Sequence, residues 1–175
     1  MATQVQDIKS RYPLPAYNYR VSIFLEVAGQ AFAPIAGVAP MGLISCAEVS
    51  GLKMEYNTVT YRHGFSFITG MHIMPAQHKE VNLSIRKGVT KQGKYLSDWM
   101  KLSYPLILPK PSSLLRQRNL VIDLCDEEGL PVVRWTVLKA MPVKLEAPSF
   151  KADSNEVAFE QMDLIAHELK VEYDF

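Results

Sequence analysis

The chain has 175 residues, enough for one domain with a single core and short for two. Nineteen lysines and arginines against eighteen aspartates and glutamates leave a net charge of +1, so no whole-molecule field is available to hold nucleic acid or an anionic membrane. Any electrostatic function has to be local to one face.

The N-terminal "MATQVQDIKS" lacks an apolar run followed by a cleavage site, and no later stretch approaches the ~20 apolar residues of a membrane span, so a soluble, cytoplasmic chain is expected. Residues 1–16, ending "SRYPLPA", carry two prolines and little periodicity and are expected to form an extended arm. Tyr19, Val21, Ile23, Leu25 and Val27 then alternate with Arg20, Ser22 and Glu26, the pattern of a half-buried strand. Residues 28–42, "AGQAFAPIAGVAPMG", have no steady period and read as a long apolar loop. Its Phe32, Ile35 and Val38 need a cover, from the barrel or from another subunit.

In "AEVSGLKMEYNTVTYRHG" (47–64) the apolar phase slips. Leu52, Met54 and Tyr56 mark one face of a strand and Val59 and Tyr61 the other, while Lys53, Glu55 and Asn57 keep the first half's opposite face polar. A bulge near Asn57 that carries one long strand from one sheet into another would account for the slip. "FSFITGMHIMPAQHKE", with Gly70 and Pro75, reads as a loop. Val81, Leu83 and Ile85 alternate with Asn82, Ser84 and Arg86 up to Gly88. A helix is predicted over 90–102, capped by Thr90, striped by Tyr95, Leu96, Trp99, Met100 and Leu102, and stopped by Pro105. After a proline-punctuated connection, two alternating runs flank Asp126-Glu127-Glu128-Gly129 as a hairpin, with Gly129 placed for a positive φ. Two further strands close the chain, the last setting Leu169, Val171, Tyr173 and Phe175 against Lys170, Glu172 and Asp174.

About seven strands, mostly adjacent and hairpin-linked, and one helix predict a single mainly β domain spanning 1–175: an antiparallel β-barrel or two-sheet sandwich with one flanking α-helix. Cys46 and Cys125, the only two cysteines, lie in apolar strand-like settings and are expected as buried free thiols. His63, His72 and His78 with Cys46 have no metal-ligand spacing and read as polar loop residues. Lys87-Gly88-Val89-Thr90 matches only the end of a phosphate-binding loop, without its upstream glycine. Asp123 and Asp126-Glu127-Glu128 read as a solvated hairpin tip, Tyr95 and Trp99 as core, and the carboxylates between Glu156 and Asp174 as polar surface. The residues therefore predict no catalytic group, no cofactor and no metal, and they shift weight from an enzyme to a structural or binding protein.

Several segments together resemble the tail-tube proteins of contractile phages and, more closely, the inner-tube proteins of phage-like contractile injection systems. They are "YPLPAYNYRVSI", "AEVSGLKMEYNTVTYRHG", "NLSIRKGVT" followed by "LSDWM", "VVRWTVLKAMPVKLEAPSF" and "ADSNEVAFEQMDLIAHEL", in the family's order over most of the chain. The resemblance implies a small barrel-like fold with one helix, shared with the type VI secretion tube protein. It also implies hexameric rings stacked into a hollow tube inside a contractile sheath, with baseplate and spike proteins, a tube terminator or cap, and effector cargo or DNA as partners. On this footing Lys53, Glu55 and Asn57 are candidate lumen residues and Phe32, Ile35 and Val38 candidate subunit contacts. The chain would be made in the cytoplasm and end in a phage tail-like particle. Two alternatives stand beside the repeating tube subunit: a specialised tube-initiating ring on the baseplate, and a small-ligand-binding barrel with 28–42 as its lid.

Overall fold

A computed structural model describes residues 12–27, 30–34, 42–64, 70–91, 93–104, 116–153 and 155–173. Strands β1 (Tyr19–Val27), β2 (Gln30–Pro34), β3 (Leu43–Ile44), β4 (Glu48–Ser50), β5 (Tyr56–Tyr61), β6 (His72–His78) and β7 (Val81–Gly88) precede the helix α1 (Tyr95–Ser103). Then come β8 (Arg118–Cys125), β9 (Pro131–Glu146), β10 (Phe159–Ala166) and β11 (Glu168–Tyr173). Every pairing is antiparallel. The main sheet runs β2-β1-β8-β9-β10-β7-β4, with β11 on β9 and β3 on β1, while β5 and β6 form a separate two-stranded ribbon. This is the mainly β fold that the alternation predicts, with one helical element among those described.

The main sheet folds because β9 bends. Its first half pairs with β8 and β11 and its second with β10. At the bend Lys139 adopts φ 54°, a left-handed conformation costly for a residue with a Cβ. Asn119, itself buried, holds it there by accepting the Lys139 amide at 2.9 Å. Across the bend the His167 amide, between β10 and β11, donates to the Leu138 carbonyl at 3.1 Å, so both strands turn together. Val21, Ile23, Leu83, Ile85, Leu120 and Met162 meet inside, and α1 plugs this core with Leu96 and Trp99. The predicted alternation of β1 and β7 places Val21, Ile23, Val81, Leu83 and Ile85 inward as expected. Gly129 takes φ +80° at the β8–β9 turn, where the Asp126 carboxylate accepts the amides of Glu128 and Leu130.

Four local expectations are corrected. Residues 30–34 of the supposed 28–42 loop form β2 against β1, because a chain so rich in alanine can still satisfy its backbone on an open sheet edge. The segment read as a loop around Pro75 is β6, tolerated because each strand of a two-stranded ribbon keeps a free edge. The helix starts at Tyr95 after Lys94, not at Thr90, whose carbonyl instead closes a turn with the Gly93 amide at 3.0 Å. Leu102 lies outside its buried stripe and Ser103 inside it, donating to the Trp99 carbonyl at 2.9 Å. Residues 1–11, Ile35, Val38 and Pro105 lie outside the described residues.

The long strand of the phase slip is two strands. β4 pairs with β7 and β5 with β6, so β4–β5 and β6–β7 are the arms of one hairpin broken at its middle. The break is Gly51, at φ +85°; a Cβ there would lie 2.3 Å from the Asn82 carbonyl oxygen, so only glycine fits. A bulge does occur opposite Asn57, but its extra residue is in β6: Ala76 and Gln77 stand between the pairs Tyr56–His78 and Thr58–Pro75.

Candidate functional site

No described helix is long and apolar enough to cross a membrane, and among the described residues no three His, Cys, Asp or Glu side chains converge to hold a metal ion. The two cysteines are free thiols, and burial pushes that of Cys46 up to about 12. The space between the sheet halves is filled by side chains such as Ile85, Trp99 and Leu120. What the fold presents is a set of surfaces.

The first is the outer face of β4-β7-β10-β9. Strand alternation sends Leu83, Ile85, Met162 and Leu164 into the core, so their neighbours must face out. Register aligns these outward residues in rows. Glu48, Arg86, Gln161 and Glu146 form one row, and Ser50, Ser84, Asp163 and Lys144 the next. Arg86 lies 3.9 Å from Glu48, Lys144 pairs with Glu146, and Gln161 donates to Asp163 at 3.4 Å. The Glu146 carboxylate, first by its hydrogen bond and then by its charge, raises the Lys144 ammonium's pKa, and Asp163 adds to this. The result is a polar, internally compensated wall.

The second surface is the pair of edges that bound this wall. Among the described residues β4 is paired only with β7, and residues 141–146 of β9 only with β10. Each edge leaves a row of backbone donors and acceptors open.

The third is the ribbon. Val59 lies opposite Met74 and Tyr61 opposite His72 on one of its faces; Thr60–Ile73 and Thr58–Pro75 share the other. Every residue of β5 is exposed, including Tyr56, Val59 and Tyr61, as are Ile73 and Met74. At the base, the Lys79 amide donates to the Glu55 carbonyl at 2.8 Å and a His78 ring nitrogen lies 3.1 Å from the His167 carbonyl.

Lys53, Glu55 and Asn57 are all exposed, but they belong to the link after Gly51 and to the ribbon, not to the wall. Lys53 and Lys79 bracket Glu55 at 2.7 and 3.2 Å, and these hydrogen bonds lower its carboxyl's pKa. Met54 does not enter the core: it is 51% exposed. Of the candidate contacts, Phe32 falls in the edge strand β2, while Ile35 and Val38 fall outside the described residues. Asn82, Ser84 and Arg86 alternate plainly in the sequence, but the wall also takes in the matching alternation of Gln161 and Asp163 in β10, whose pairing with β7 the sequence does not state.

Comparison with solved structures places the chain beside three assemblies. A chain of the PVC extracellular contractile injection system sheath–tube complex in its extended state is 27% identical, with a TM-score of 0.75 over 97% of both chains. A chain of the anti-feeding prophage tube-terminating cap is 27% identical, with a TM-score of 0.73 over 99% of this chain and 100% of that one. A chain of the PVC sheath/tube terminator in its extended state is 28% identical, with a TM-score of 0.72 over 93% and 98%. A search of curated protein sequences finds no match. The family model of the T4-like virus tail tube protein gp19 matches residues 15–170, nearly the whole described fold, and the chain belongs to that tail tube family.

Proposed function

We propose that the chain is a structural subunit whose six-membered rings stack into the hollow inner tube of a contractile injection system or phage tail. The polar wall between two open edges carries this reading. Joining the β4 edge of one subunit to the β9 edge of the next is a head-to-tail contact that closes into a ring and leaves neither of these two edges open. The wall of Glu48, Arg86, Ser84, Asp163 and Lys144 then lines a water-filled channel. Lys53, Glu55 and Asn57 go with the ribbon toward the neighbouring ring and not with the channel. An isolated two-stranded ribbon is marginal in water, and one with apolar residues on both faces needs a partner.

Sheath, baseplate and spike, and a terminator or cap are the partners this role calls for, since the relatives come from assemblies named for sheath, tube, cap and terminator. Assembly takes place in the cytoplasm before the finished particle acts outside it. Effector or DNA passes through the lumen, and the subunit itself has no catalytic part.

Electron microscopy of the purified protein tests this. Long tubes identify the repeating subunit, isolated rings that do not extend identify a specialised ring on the baseplate, and a monomer refutes the reading. In tubes, Asp163→Lys should leave tube length unchanged and shift retention of a charged lumen probe, because it alters an outward charge on the wall; an unchanged probe moves the lumen to another face.

A further inference from the structure

All four histidines of the chain stand in two pairs. His63 and His72, at the tip of the ribbon, have ring centres 5.6 Å apart and planes inclined by only 26°. His78 and His167 come from different elements, the end of β6 and the junction of β10 with β11, and their ring centres are 5.2 Å apart with planes inclined by 48°. Both are exposed and border a groove of about 980 Å³ that Glu80, Tyr104, Lys139 and Met141 also line. Backbone bonds fix this second pair. The His167 amide donates to the Leu138 carbonyl at 3.1 Å, and Nε2 of His78 lies 3.1 Å from the His167 carbonyl oxygen. A carbonyl only accepts, so in neutral His78 the proton sits on Nε2 and the lone pair on Nδ1. Metal-ligating histidines are held in this way, with the other N–H given to a carbonyl.

We propose that His78 and His167 bind one divalent transition-metal ion of the Ni²⁺, Cu²⁺ or Zn²⁺ class, and that the ion clamps the root of the ribbon to the β10–β11 junction. The spacing of the rings carries the inference together with the tautomer of His78. An imidazole nitrogen stands about 2.0–2.1 Å from such a metal, which puts each ring centre about 3.2 Å from it; two ligands at square or tetrahedral angles then have centres roughly 4.5–5.2 Å apart. The His78–His167 pair meets this range and the His63–His72 pair exceeds it. Among the described residues no third ligand converges, so water fills the remaining positions. Glu80 and Lys139 offset one another in charge along the groove, which leaves selection to the imidazole lone pairs; these favour Ni²⁺, Cu²⁺ and Zn²⁺ over the oxygen-seeking Mg²⁺. The site stands independently of the tube reading.

Calorimetric titration of Ni²⁺ into the untagged full chain tests it, with Mg²⁺ as the control ion. The parent should take up one Ni²⁺ per chain and no Mg²⁺. His167→Ala should weaken Ni²⁺ binding by about tenfold or more. That variant should fold as the parent does, because the local hydrogen bonds of residue 167 are made by its backbone and its side chain is exposed. His72→Ala should bind as the parent does. With Ni²⁺ present, the amides of β6 should exchange more slowly in the parent and at an unchanged rate in His167→Ala. Absence of saturable Ni²⁺ binding, binding that survives His167→Ala, or binding lost in His72→Ala overturns the site. Binding at His167 that leaves β6 exchange unchanged overturns the clamp.

Discussion

Truncating Trp99 to alanine should come close to unfolding the subunit. The indole is fully buried between α1 and the sheet, and its N–H donates to the Arg116 carbonyl at 3.1 Å. Its face lies 4.8 Å from the Arg118 guanidinium, which has Tyr95 at the same distance. Removing a buried aromatic costs about 3–5 kcal/mol in transfer and cavity terms. Arg118 is buried with two of its nitrogens unbonded, so loss of one aromatic partner adds up to about 2 kcal/mol. The sum, about 3–7 kcal/mol, compares with a total of about 5–15 for a typical domain. The Arg116 carbonyl is not stranded, because Ser103 Oγ also donates to it at 3.3 Å. Trp99→Phe, which loses the N–H and part of the ring, should therefore cost only about 1–2 kcal/mol. Urea unfolding followed by far-ultraviolet circular dichroism, at dilutions where the protein is monomeric, measures both. An alanine variant that loses less than about 2 kcal/mol, or that folds as the parent does and fails only to assemble, refutes the helix-plug account.

Met54→Asp should fold with stability changed by less than about 1 kcal/mol, because the side chain is half in water; a large loss in urea unfolding would return it to the core. Gly51→Ala should lower the melting temperature and loosen the ribbon's amides in hydrogen exchange, since its Cβ meets the Asn82 carbonyl oxygen at 2.3 Å and its φ is positive; unchanged exchange would mean the break lies elsewhere. The lowered pKa of Glu55 means that its bonds to Lys53 and Lys79 contribute fully above the ordinary carboxylate range and are lost as pH falls through the lower folded value. Amide exchange at Lys79, corrected for intrinsic rate, should hold steady from neutral pH to that range and quicken only below it. Folded protein at pH 8 should react slowly with a thiol reagent at Cys46, whose pKa is near 12, and rapidly once unfolded; prompt reaction of the folded state would place that thiol in water.

The sequence carried most where a strand has one wet and one dry face. β1 and β7 declared themselves by alternation, and the hairpin around Gly129 by its turn residues. It carried least where a strand is wet on both faces or pairs far along the chain. β6 has no dry face, so nothing in "HIMPAQH" alternates with burial, and its Pro75 argued for a loop. The corner predicted at Asn57 exists as a device, but the sheet turns at Lys139, where a lysine at positive φ gives no compositional sign and the stabilising Asn119 is 20 residues away. The motifs that resemble tail-tube proteins name the family without saying which face does what. The wall needs residues from β4, β7, β9 and β10, whose alignment is a property of the register and not of any one segment.

The broken hairpin also has a mechanical meaning. A pull on the ribbon along its own strands enters the sheet along β4 and β7, so the hydrogen bonds at its root are loaded together in shear and are not peeled one at a time. The two arms share that force unequally. β4 is anchored by three residue pairs, whereas β7 is held along all eight of its residues by β10. The path for such a pull therefore runs from β6 through Lys79 and Glu80 into β7 and on to β10, and the Gly51 side can give first without the arm coming free.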